Sequence, residues 1–172
     1  MADFILDENE LPSTSKNYIE NLRKVFRTQE LPNNSQKALL IHPTLGELWM
    51  DIGLKLSTAG KIPAALREIL ILRTAYFYNS DYELHYHLQF AKREAVSETV
   101  LDLLQKKATS EFFPRELQDY IKLCDQFNNR EIFDYEAISH REGKEVLMEI
   151  LMLIGFYSFV AQYMHGLQIP LP

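Results

Sequence analysis

The run AALREILILRTAYFY, Ala64 to Tyr78, constrains this chain more than any other stretch. Apolar residues fall on nearly every side of it, so it has to be buried, as a helix or as a central strand. A strand rarely continues past about 8 residues, and a run longer than roughly 12 reads as helix. Pro63, just ahead of it, suits the first turn of a helix, where its missing N–H costs nothing. Asn79-Ser80-Asp81 ends the run.

The rest of the chain agrees with that choice. Glycine is scarce, at 6 residues, and no Asn-Gly or Asp-Gly pair joins two apolar runs as a hairpin would require. Residues 1–14 read as a loosely attached acidic arm, and residues 15–172 as one helical domain. A first helix is expected over Lys16 to Arg27, where Tyr18, Leu22, Val25 and Phe26 recur at helical spacing. Leu31 to Ser35 breaks it, and Ser35 can cap a short helix through Leu40. The next helix starts at Pro43 or Thr44 and reaches about Ser57, and Gly60 marks the loop after it. Further helices are expected from Ser97 to about Lys107, from Pro114 to about Phe127, and over Arg130 to Ile138. Ser139-x-x-Glu142 reads as a capping box opening a long last helix to about Met164, with Gly166 as its stop. The count is about seven or eight helices, an all-α bundle. Its central pair would be residues 64–78 and the segment after Asn79, antiparallel across a tight turn. The apolar run Ile150 to Ala161 is too short to span a bilayer and reads as a buried helix. The last helix is apolar on so many sides that a second subunit is expected to cover its extra face.

SDYELHYHLQFA, Ser80 to Ala91, supports two readings. Tyr82, Leu84, Tyr86, Leu88 and Phe90 alternate with polar residues, as in a half-buried strand. Yet Ser80-x-x-Glu83 is a helix-start signature. The helical context decides for a helix over Asp81 to Arg93. Glu83 and His87 then lie one turn apart on one face, while His85 points elsewhere.

Charge and cysteine content narrow the function. Acidic residues outnumber basic ones 24 to 18, a net charge of −6. Nucleic acid is therefore not an expected partner, since no basic excess exists to displace counterions. The only cysteine, Cys124, excludes an intrachain disulfide, a CxxC redox pair and a cysteine zinc site. A lone thiol suits a reducing compartment, and MADFILDENELPSTS lacks the pattern of a signal peptide, so a cytoplasmic protein without membrane attachment is expected. His85-x-His87 does not converge on one ion from a helix, and neither a metal nor a cofactor is expected. His85, His140 and His165 receive no role.

The chemistry-bearing candidates are Glu68, Glu83 and His87. Glu68 sits inside an apolar run, where a carboxylate needs a partner or a cavity. Arg67, Arg73 and His87 are the available partners. Glu83 has a bland alternative, since the third residue of a capping box reaches back to the backbone of Ser80. His87 could equally be a satisfied core histidine. Tyr76, Tyr78, Tyr82, Tyr86 and Phe90 are core or interface aromatics that could also wall a pocket.

Three motifs occur in order: Pro63-x-x-x-Arg67-Glu68, then Tyr82-Glu83-x-x-x-His87, then Ala95-Val96-Ser97. With the tail EVLMEILMLIGFYSFVAQYMHGLQIPL, they resemble the carboxymuconolactone decarboxylase and alkylhydroperoxidase D superfamily over roughly residues 35 to 172. The resemblance implies an all-α bundle of the alkylhydroperoxidase D type that assembles as a homo-oligomer, often a trimer or hexamer. The peroxidase branch uses two cysteines at the positions held here by Ser80 and Glu83, with the acid and histidine at Glu68 and His87. Both thiols are absent, and a serine hydroxyl gains little from the helix terminus that would activate a thiol. Dithiol peroxide reduction is therefore excluded, and a peroxiredoxin-like label would rest on family inheritance. The decarboxylase branch also lacks the pair. It implies cofactor-free, lyase-type proton transfer on a small carboxylic acid or lactone. In that reading His87 is the acid/base, Glu68 and Glu83 orient it or relay its proton, and Arg67, Ser80 and Tyr82 bind substrate. The alternative is a thiol-less relative that binds a ligand or serves as an oligomeric scaffold.

Overall fold

A computed structural model describes residues 4–26 and 32–171, the side chains of Val25 and Phe26 apart. The expected helix end at Arg27, the apolar roles of Val25 and Phe26, the breaker residue Leu31 and the terminal Pro172 lie outside the described residues. Among those described there are nine α-helices and no strand: α1 Ser13–Phe26, α2 Asn34–Leu39, α3 Pro43–Thr58, α4 Ala64–Tyr78, α5 Asp81–Arg93, α6 Glu98–Gln105, α7 Arg115–Asn128, α8 Glu136–Glu142 and α9 Lys144–Gly166. The all-α class is as expected, with one or two more helices.

The helices fall into two compact units. One comprises residues 1–59 with 163–172, the other Gly60–Gln162. In the first, Leu11, Ile19, Leu22, Leu40 and Met50 form a buried cluster. The acidic N-terminal stretch is not loose from Asp7 onward. Glu8 takes both terminal amino groups of Arg23, at 2.8 and 2.7 Å, and Leu11 is buried. The cap of α2 is Asn33 rather than Ser35. Asn33 Oδ1 accepts from the Gln36 amide at 3.0 Å, and Gln36 Oε1 accepts from the Asn33 amide at 2.9 Å. Ser35 lies inside the helix, its hydroxyl paired with that of Tyr163. A Cβ at Gly46 would stand 2.3 Å from the Leu39 carbonyl oxygen, so only glycine lets α3 pass this close to the end of α2.

The second unit is organised by the α4–α5 hairpin. Asn79 takes the left-handed conformation, φ 52°, that ends α4, and the Ser80 amide donates to the Ala75 carbonyl at 2.9 Å. Ile69 and Leu72 of α4 pack with Ala91, Val96, Val100, Leu104, Phe113 and Ile121. Arg73 reaches across to α7 and holds Asp125 through two hydrogen bonds, at 2.6 and 2.7 Å. Ahead of α4, the Glu149 carboxylate accepts the Lys61 and Ile62 amides at 2.8 and 3.1 Å, fixing the entry to the helix.

Two corrections concern the chain after α7. Residues 130–135 are not helical, and α8 begins only at Glu136. Ser139 to Glu142 lies within α8 rather than capping the last helix. The break is Gly143, whose φ of 87° a side chain would oppose. The run Ile150 to Ala161 is the middle of α9, 23 residues in all, which by length and composition is sufficient to cross a membrane. Leu147, Ile150, Leu153, Ile154, Val160 and Ala161 are buried, whereas Met148, Met152 and Phe159 are exposed.

Candidate active site

Glu68 projects from the second turn of α4, and Glu83 and His87 from successive turns of α5. The hairpin brings all three together. His87 Nδ1 lies 2.7 Å from Glu68 Oε2, and its Nε2 lies 3.3 Å from Glu83 Oε2. Arg67 completes the cluster, its Nε 3.5 Å from Glu68 Oε1. Their side chains retain only 5% exposure at Glu68, 7% at Glu83, 10% at His87 and 16% at Arg67. Two cations thus face two carboxylates in a poorly solvated place, where each compensates the desolvation of its neighbour.

Both ring nitrogens of His87 meet a carboxylate oxygen, and a nitrogen lone pair aimed at a carboxylate is repelled. Each nitrogen therefore carries a proton, and the ring is an imidazolium. Burial alone would lower its pKa, but the contacts with Glu68 and then Glu83 outweigh burial and raise it to about 9. The two sides of the ring differ. The Nδ1 bond to Glu68 is short and well formed. The Nε2 contact is long and is not an aligned hydrogen bond, although its charge still supports the imidazolium. The Nε2 proton is the less committed one.

The structure separates the remaining candidates. Ser80 caps α5, its Oγ accepting the Glu83 amide at a long 3.5 Å. The reciprocal half of a capping box is missing: the Glu83 carboxylate goes to His87 and not to the Ser80 backbone. Tyr82 is buried beside Tyr86, with ring centroids 5.3 Å apart, one residue off the stripe that carries Glu83 and His87. Of the partners open to Glu68, Arg73 is committed to Asp125. No group of metal-ligating side chains occurs among the described residues.

One residue at the site was not anticipated. Tyr157 of α9 stands edge-on to the His87 ring, centroids 5.0 Å apart and planes at 88°. Phe90 stands similarly at 5.4 Å. Burial, then the charges of Glu83 and Glu68, hold the Tyr157 phenol well above the ordinary tyrosine range, so it remains protonated. The signal was its position in the stripe Ile150, Leu153, Ile154, Tyr157 and Ala161, which puts a phenol on the buried face of an apolar helix.

Cys124 lies elsewhere, fully buried, and burial pushes its thiol up to about 12. Such a thiol is not a nucleophile near neutral pH.

The model of the Carboxymuconolactone decarboxylase family matches residues 43–119. No curated protein matches the chain. A solved structure, that of an uncharacterized peroxidase-related protein from Silicibacter sp. TM1040, has the same fold. It aligns with a TM-score of 0.75 and 13% identity, covering 99% of this chain and 90% of that one. The matched segment, residues 43–119, carries Arg67, Glu68, Glu83 and His87, so the four charged groups of the site lie in the part of the chain that is similar to the carboxymuconolactone decarboxylase family.

Proposed function

We propose that the protein is a cofactor-free, lyase-type enzyme that decarboxylates a small carboxylated lactone or related carbonyl acid. The observation that carries this reading is the placement of the His87 ring between the carboxyl groups of Glu68 and Glu83. Breaking a C–COO⁻ bond releases CO₂ and leaves an electron pair, which a conjugated carbonyl can take up as an enolate. The product then needs a proton on carbon. His87 Nε2–H supplies it, and the neutral imidazole regains one from solvent by way of Glu83. Glu68 fixes the ring and keeps it charged. The outer nitrogens of Arg67, which have no partner among the described residues, take a carboxylate by paired hydrogen bonds. In this role His87 is an acid, not a base.

The test is CO₂ release from a panel of carboxylated unsaturated γ-lactones. His87→Gln, checked for folding by circular dichroism, is expected to slow turnover at least about a hundredfold. An unchanged rate in that variant contradicts the reading. One observation favours a second role: the four charges balance, as a purely structural network would. Thermal stabilisation by these acids without turnover in the wild type would favour a ligand-binding or scaffold protein.

Two attributes belong to the same proposal. The exposed Met148, Met152 and Phe159 support a homo-oligomer, trimeric or hexameric, that light scattering would detect. The single, buried thiol supports a cytoplasmic setting.

A further inference from the structure

Tyr157 lies at the site but outside the matched segment 43–119, and its hydroxyl makes no hydrogen bond among the described residues. A phenol among charged residues ordinarily donates its O–H to the nearest carboxylate. Here Glu68 and Glu83 are both turned onto His87, and neither accepts from Tyr157. Its ring stands edge-on to His87, at 5.0 Å, and to the neighbouring Phe156, at 5.2 Å. The group is thus a positioned donor whose proton is not used within the described residues. Arg67, whose charge opposes the rise in the phenol's pKa, meets Glu68 through Nε at 3.5 Å, and its outer nitrogens make no hydrogen bond among the described residues. A cationic fork and a neutral donor in one site suit a ligand carrying a carboxylate and, close by, a neutral carbonyl oxygen.

We infer that Tyr157 is a further substrate-binding and catalytic residue, donating its phenolic hydrogen bond to the carbonyl oxygen of the substrate while Arg67 holds the carboxylate. This rests on the proposed decarboxylase-like function and assigns a donor to the carbonyl oxygen of that substrate. As the C–COO⁻ bond breaks and the electron pair moves onto the carbonyl oxygen, the Tyr157 hydrogen bond strengthens. The phenol keeps its proton, and the proton that ends on carbon comes from His87.

The experiment is calorimetric titration of wild type and Tyr157→Phe with two probes, γ-carboxy-γ-butyrolactone and tetrahydrofuroate, which has the same ring and carboxylate but no carbonyl. The wild type is expected to prefer the lactone by about five- to tenfold, the worth of one hydrogen bond. Tyr157→Phe, which keeps the ring and its packing, is expected to lose that preference while binding tetrahydrofuroate as before. A structural role alone would not move one probe without the other. A wild type that binds both probes equally, or a variant that keeps the preference, overturns the assignment of Tyr157 and leaves the decarboxylase-like reading standing. A wild type that binds neither overturns both.

Discussion

Two polar clusters are buried in the same unit, both built on α4, and they behave in opposite ways. Around Glu68 charged groups face one another with the neutral phenol of Tyr157 beside them, and among the described residues neither that phenol nor the outer nitrogens of Arg67 make a hydrogen bond. Around Cys124 the groups hydrogen-bonded to it are neutral and paired with one another. Thr74 Oγ1 and Asn128 Nδ2 each lie 3.5 Å from the Cys124 sulfur, and Ser158 Oγ lies 2.9 Å from Asn128 Oδ1. The surroundings raise both a histidine and a cysteine, but with opposite consequences. Raising His87 keeps an acid charged and able to give up a proton. Raising Cys124 removes the only form of sulfur that reacts. A buried polar group is therefore a candidate for chemistry when charge is concentrated on it and donors are left over, not merely because it is buried.

The contrast can be broken from either side. The largest effect is expected from Glu68→Leu, which leaves Arg67 and His87 facing one carboxylate. Removing one partner of a buried ion network should cost about 3–5 kcal/mol in denaturant unfolding. Next is the pH dependence of the wild type. A histidine raised from 6.5 to about 9 contributes stability that is fully present below pH 6.5 and is lost as pH rises through 9. Unfolding free energy should fall by about 3 kcal/mol across that window, and the fall should vanish in His87→Gln. Asn128→Leu, in the neutral cluster, should cost about 1–2 kcal/mol with no change in that pH profile. Smallest is Cys124→Ala, expected to cost no more than about 1 kcal/mol and to leave CO₂ release unaltered. A large activity loss in that last variant would erase the distinction between the clusters.

How far the sequence went follows the same physics. The bounds of α4 and α5 were legible because a continuous apolar run, Pro63, Asn79 and Ser80 all agree locally. The i,i+4 relation of Glu83 and His87 followed from the helix alone. Which partner Glu68 would take was not legible. Arg67, Arg73 and His87 were all in reach along the chain, and only the register of the hairpin and the position of Asp125 on α7 decide between them. Asn33 displaced Ser35 as a cap because two reciprocal hydrogen bonds outweigh a single serine. Gly143 was overlooked because Ser139-x-x-Glu142 imitates a helix start just before it. The stripe of α9 marks Tyr157 as a buried phenol, but that it meets His87, far away along the chain, is decided by tertiary packing.

The central claim is that His87 is an imidazolium clamped by two carboxylates. Titration of ¹⁵N-labelled histidine by NMR tests it directly, with His87 assigned by comparison with His87→Gln. The account predicts that both ring nitrogens of His87 stay protonated at pH 7 and titrate with a midpoint near 9. A midpoint at or below the ordinary 6.5, or a ring carrying a single proton at pH 7, would contradict it.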